Sequence, residues 1–211
     1  MRLTEKEIPD MAMVALALYV GFIALGFGWR SWQHRRRTGS TGFRGVSGRP
    51  GSLEWWVGVG FVLAVVIGVA APLLQMLGVL GPVEVLDASW IQAVGISLSL
   101  VGIGATIYAQ NDMGESWRIG VDTGEATTLV RCGSFALVRN PIFTAMLVFA
   151  AGITLVTPNP LAITGLVLLA TTIELQVRVV EEPYLLTVHG DRYRDYTRTV
   201  GRFLPRIRTR A

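Results

Sequence analysis

The chain has 211 residues, of which 51% are hydrophobic and 16% charged; soluble domains carry about 25% charged residues. Mean hydropathy is +0.48, with a formal net charge of +4 and a pI near 9.7. These values exclude an ordinary cytosolic globule and a disordered tail, and the placement of the arginines accounts for the basic excess without nucleic acid.

Charge-free runs set the architecture. They cover residues 11–29, 55–83, 88–111 and 140–173, with 19, 29, 24 and 34 residues respectively. A helix needs roughly 20 apolar residues to cross about 30 Å of hydrocarbon. The first run predicts one helix, Met11 to Trp29. It is longer than the apolar core of a usual signal peptide, and what precedes it is not clearly basic. The second predicts a helix from Trp55 to Gly81, with a kink expected at Pro72. The third predicts Ser89 to Gln110. The fourth would be about 50 Å long as one helix, and Thr157-Pro158-Asn159-Pro160 breaks it. A helical hairpin is therefore expected, with arms from Pro141 to Val156 and from Leu161 to about Val180. Pro141 suits a first helical turn, where its missing N–H costs nothing. Beyond the hairpin, the spacing of Tyr193, Tyr196 and Val200 predicts a short amphipathic helix.

The expected fold is thus an all-α integral membrane protein with five transmembrane helices, the last two a hairpin, and a cytoplasmic C-terminal amphipathic helix. It divides into residues 1–110, with three helices and a basic loop at 30–54, and residues 111–211. Six arginines and no acid fall between Arg30 and Arg49, three arginines between Asn111 and Arg139, and eight from Arg178 onward. These 17 of the 19 basic residues share one side of the five-span arrangement. The positive-inside rule then puts the N-terminus outside and the C-terminus in the cytoplasm. Arg35-Arg36-Arg37 is expected among anionic lipid headgroups.

No segment outside the spans (30–54, 112–139 and 174–211) reaches the roughly 50 residues of a small independent domain. A site must therefore be built from helix ends. With Cys132 alone and only His34 and His189, no disulfide framework or metal centre is expected, and both histidines are expected at the surface. Gly58-Val59-Gly60 and Gly102-Ile103-Gly104 lack the preceding strand that a phosphate-cradling loop requires. They read as close helix packing, with Gly95, Ser99 and Gly102 on one face.

Two polar constellations remain. Arg139 adjoins the start of the fourth helix, where free N–H groups and positive potential suit an anionic group; an arginine anchoring a helix end among headgroups is an equal alternative. Glu174, Arg178, Glu181 and Glu182 line the exit of the fifth helix. Glu174 and Arg178, like Arg178 and Glu182, are spaced to stack on one helical face. Carboxylates this near a bilayer are costly unless paired or hydrated, which marks a functional site; an interfacial ladder is the bland alternative.

The stretch from Leu129 to Ala145 (LVRCGSFALVRNPIFTA) resembles the signature of the integral-membrane methyltransferases of the isoprenylcysteine carboxyl methyltransferase and phospholipid N-methyltransferase type. The tail resembles the second half of that signature through Glu181-Glu182, Leu185, Gly190, Tyr193, Tyr196, Arg202 and Pro205. The likeness covers roughly residues 110–206. It implies S-adenosylmethionine as cofactor, a cytoplasm-facing pocket and a lipophilic methyl acceptor entering from the bilayer. Transferred by position, Arg139, Asn140, Pro141, Phe143, Glu181, Glu182 and Tyr193 would hold the cofactor, with Arg139, Glu181 and Glu182 as catalytic candidates. Residues 111–211 would be the catalytic region. Glu115, Trp117, Arg118, Glu174 and Arg178 are the acceptor-facing candidates, and no metal is needed. The chain departs from the signature at Asn140 (histidine in the family), at Phe135 and Phe143 (tyrosine), at Ser134 (proline) and at Ala145 (glycine). Asn140 donates and accepts hydrogen bonds but cannot carry a proton. An NADPH-dependent membrane reductase of sterol-reductase-like architecture and a non-catalytic membrane subunit are the competing expectations.

Overall fold

The computed structural model of the protein describes residues 7–42, 45, 48–114 and 128–206, and among them there is no β-strand. Helix α1 (Glu7–Phe22) runs through a π-helical segment, Ile23–Trp29, into α2 (Arg30–Thr38). Next come α3 (Leu53–Met76) and α4 (Ser89–Met113). A 3-10 turn (Gly133–Ala136) precedes α5 (Pro141–Val156), which is followed by α6 (Pro160–Leu175). A second π-helical segment, Gln176–Glu181, leads into α7 (Glu182–His189), and α8 (Asp191–Thr199) follows.

Among the described residues, four helical stretches are long and apolar enough to cross a membrane: Met11–Thr38, Leu53–Met76, Ser89–Met113 and Pro160–His189. The chain is therefore a multi-pass membrane protein. Helix α5 is apolar but shorter, at 16 residues. The first helix does not stop at Trp29. Arginine and glutamine are good helix formers, and Arg35, Arg36 and Arg37 occupy the last turn of α2, where cations favour the helix dipole. Continuation of the helix has a second consequence. His34 sits four residues after Arg30, on the same face, and both are buried rather than exposed.

Helix α4 packs along α5, α3 along α6, and α1 touches α3, α4 and α5. The α4–α5 seam is made of small residues. A Cβ on Gly102 would stand 2.6 Å from the Phe149 backbone nitrogen, and one on Gly95 would stand 2.7 Å from the Gly152 carbonyl. Backbones approach this closely only where side chains are missing. Tyr19, Phe22, Met146, Phe149 and Ile153 form the larger apolar cluster, with Phe22 stacked on Phe149 at 4.1 Å between ring centroids.

The α5–α6 turn closes as the Pro-Asn-Pro sequence requires. Asn159 caps α6 by accepting from the Ala162 N–H (2.9 Å), and Pro160 occupies the first turn. The Asn159 amide also donates to Gln75 Oε1 (2.8 Å) and to the Ala71 carbonyl (3.2 Å), tying the hairpin tip to α3. Asn159→Ala is expected to cost about 2 kcal/mol, one helix cap plus one buried acceptor left unpaired. Thermal unfolding in lipid nanodiscs checks this, and an unchanged midpoint would contradict it.

Candidate active site

The start of α5, the exit of α6 and the last described residues meet at one place. Segment 138–140 runs beside segment 201–203. Val138 and Gly201 form a parallel bridge, Arg139 N–H donates to the Gly201 carbonyl (2.8 Å), and Asn140 N–H donates to the Arg202 carbonyl (3.1 Å). The Asn140 side-chain amide reaches the same Arg202 carbonyl (3.2 Å), and Thr144 Oγ1 donates to the Phe203 carbonyl (3.1 Å). Segment 201–203 thus lies across the first turn of α5, whose Pro141 is buried at the first helical position.

Side chains complete the junction. Arg139 Nη2 donates to Glu182 Oε1 at 2.8 Å, while its Nη1 donates to the carbonyls of Val200 (2.7 Å) and Thr197 (3.3 Å). A cation is thereby placed at the C-terminal end of α8, where the helix dipole is negative. Arg202 grips both oxygens of Glu182 (2.8 and 2.9 Å) and reaches Glu174 at 3.1 Å. The fork geometry of guanidinium suits such two-point pairing. Glu182 is thus shared by two arginines. Glu174 is shared by Arg202 and Arg178, and Glu181 precedes Glu182 at the entry to α7.

The expected stack of Glu174, Arg178 and Glu182 forms only in part. Arg178 pairs with Glu174. Glu182 turns instead to Arg139 and Arg202. The π-helical segment between them widens the helical turn, so a spacing of four no longer aligns side chains there. Of the other candidates, Tyr193 is buried with Arg139 and Glu182 as its charged neighbours. Phe143 is half-buried and packs against both apolar clusters. Glu115, Trp117 and Arg118 lie outside the described residues. Sequence reasoning gave no site role to Arg202, Asp112 or Tyr196. Asp112 accepts from both the N–H and the hydroxyl of Ser134 (2.7 Å each), and the Tyr196 hydroxyl donates to the Phe135 carbonyl at 2.5 Å. Backbone partners of this kind leave no mark in the sequence; the place of Arg202 after the two tyrosines was the one available signal.

Burial pushes the phenols of both Tyr193 and Tyr196 up to about 12. The Glu182 carboxylate adds to the effect at Tyr193, and Arg139 opposes it at both. Folding therefore favours the protonated phenol. The associated stability is fully present below about pH 10, the ordinary tyrosine value, and is lost as pH rises toward 12. Ultraviolet titration is expected to show late-ionising tyrosines, one fewer in Tyr193→Phe and one fewer in Tyr196→Phe. Ordinary ionisation of both residues would contradict this packing.

Among the described residues, the ion pairs around Glu174 and Glu182 gather where apolar helices end, an arrangement that fits a multi-pass membrane protein. Residues 90–192 match the family model described as phospholipid methyltransferase. The match covers just under half of the chain and runs from α4 to the start of α8. A comparison with curated proteins gives no match.

Proposed function

We propose that the protein transfers a methyl group from S-adenosylmethionine to a lipophilic small molecule or lipid at the cytoplasmic face of the membrane. The observation that carries this reading is the junction within the matched stretch. There Arg139, just before α5, and Glu182, at the start of α7, are hydrogen-bonded to each other beside segment 201–203. In the proposed arrangement α5 is a fifth crossing, the N-terminus lies outside, and residues 111–211 carry the chemistry.

The donor set fits the cofactor. Its ammonium and sulfonium groups are cationic, and the site edge carries Glu181 next to the arginine-paired Glu182. Its carboxylate and ribose need hydrogen-bond donors; Arg139 and Asn140 carry such groups, here bonded within the junction, so cofactor binding would exchange some of those bonds. Arg139, Asn140, Pro141, Phe143, Glu181, Glu182 and Tyr193 are proposed to line its site, with Glu174 and Arg178 toward the acceptor. S-adenosylmethionine, when bound, supplies an activated methyl carbon on a positively charged sulfur. The chain's own work is then to orient the acceptor in line and to exclude water. A carboxylate or thiolate acceptor needs no base. For an amine acceptor, Glu181 is the candidate to take the proton.

Calorimetric titration of nanodisc-embedded protein with S-adenosylhomocysteine is expected to show saturable binding, with none for NADPH. Radiolabelled methyl transfer into a lipid extract is expected to label a lipophilic species. Binding of NADPH alone would favour the reductase reading, and binding of neither would leave a non-catalytic subunit.

A further inference from the structure

Arg30 lies outside the stretch that matches the methyltransferase family model, yet it is 95% buried against the end of α4. Its Nη2 donates to the carbonyls of Gln110 (2.9 Å) and Gly114 (2.7 Å), and Nη1 is steadied by Gln33 Oε1 (2.8 Å). Gln110 returns the contact, its amide donating to the Gly26 carbonyl at 2.7 Å inside the first π-helical segment. The final carbonyls of a helix have no partner within it. At α4 a buried guanidinium from the first membrane helix supplies one. The opposite side of the same helix end is held by Asp112, which accepts twice from Ser134. Gly133 closes against that carboxylate with φ +59°, where a side chain would meet both strain and the Asp112 oxygens.

These bonds form a continuous chain. Arg30 fixes the α4 end, Asp112 fixes the 3-10 turn, and Phe135 in that turn accepts from Tyr196 of α8. Two residues beyond the turn, segment 138–140 enters its pairing with 201–203 and the Arg139–Glu182 bond. We propose that Arg30 is a positioning residue for the candidate active site: through the end of α4 it sets the 3-10 turn, and through the turn the start of α5. The first membrane helix thereby becomes part of the working unit. The part that concerns cofactor affinity rests on the methyltransferase reading; the hold on the turn does not.

Cys132, the single cysteine, is exposed beside the 3-10 turn and gives a local probe. A nitroxide on Cys132 in the full chain, in phospholipid nanodiscs, is expected to gain a mobile component in Arg30→Met. Arg30→Lys, which keeps the charge but not the two-carbonyl fork, is expected to give an intermediate spectrum. Asp112→Ala, one link further along, is expected to loosen the label at least as much as Arg30→Met. S-adenosylhomocysteine affinity is expected to fall about tenfold in Arg30→Met and less in Arg30→Lys, within the usual range for coupling through packed networks. If Arg30→Met does not fold, Arg30→Lys carries both measurements. A wild-type spectrum in the folded variants overturns the proposal, and so does a loosened turn with unchanged affinity. If wild-type protein binds no S-adenosylhomocysteine, the methyltransferase reading fails by itself. The spectrum then decides alone, with mobility in the variants supporting the hold of Arg30 on the turn and its absence refuting it.

Discussion

Arg139→Met is expected to remove about 3 kcal/mol of stability and to abolish S-adenosylhomocysteine binding, the larger part of the stability loss coming from polar groups left without a partner. Methionine preserves much of the side-chain bulk, so a packing void is not the cause. The Arg139 side chain is 9% exposed and that of Glu182 is 17% exposed. Removing the guanidinium strips one charged partner from Glu182 and leaves the carbonyls of Val200 and Thr197 facing an apolar group at the end of α8. Arg202 still holds both Glu182 oxygens, which keeps the loss below that of a fully orphaned buried charge. Arg139→Lys is expected to lose about half as much, because an ammonium can meet Glu182 but not the two carbonyls as well. A double-mutant cycle of Arg139→Met with Glu182→Gln, read by chemical unfolding in bilayers, is expected to give a coupling of at least about 1 kcal/mol. Native stability and binding in Arg139→Met would remove the junction from the proposed mechanism.

The same pair marks how far a sequence can be read. The apolar middles of the membrane helices followed from the absence of charge; their ends did not, since the first runs on to Thr38 and the second stops at Met76 rather than Gly81. The Pro141–Val156 arm and the break before Pro160 coincide with the sequence expectation, because proline acts locally and fixes where a helix begins. The face of Gly95, Ser99 and Gly102 was legible for a similar reason, since small residues at helical spacing have few other uses in a membrane helix. Arg139 and Glu182 were legible as candidates because charges near a bilayer are rare. Their partners were not. Arg139 binds two backbone carbonyls and a glutamate 43 residues away, and a carbonyl has no side-chain signature. The π-helical segments escaped for another reason. Periodic reading assumes a constant turn, and the segment at Gln176–Glu181 shifts the phase between Arg178 and Glu182. Arg30 and His34 read as parts of a solvated basic loop because their neighbours are arginines. Burial of one face of α2 depends on α4, which lies far along the chain.

The second large effect lies at the α4–α5 seam. Gly102→Leu is expected to cost about 3 kcal/mol or more, and Gly102→Ala about 2 kcal/mol, from overpacking against a backbone that cannot step aside. A Cβ at Gly102 would sit 2.6 to 2.7 Å from the nitrogen, Cα and Cβ of Phe149. Phe149 is itself locked by Phe22 and Tyr19, with ring centroids 4.1 and 5.2 Å away. Gly104 supplies the control on the same helix. Its Cβ would meet nothing within 4 Å, so Gly104→Ala is expected to change stability by no more than about 0.5 kcal/mol. The effect is expected to reach the candidate site as well. Asp112 in the last turn of α4 holds the turn before α5, and α5 begins two residues after Arg139. Forcing the two helices apart at Gly102 moves one side of that junction against the other. S-adenosylhomocysteine affinity measured on folded Gly102→Ala is therefore expected to fall together with the unfolding midpoint, while Gly104→Ala keeps both. Equal behaviour of the two variants would mean that α4 and α5 do not meet along this face, and the seam that carries Asp112 toward Arg139 would have to be abandoned.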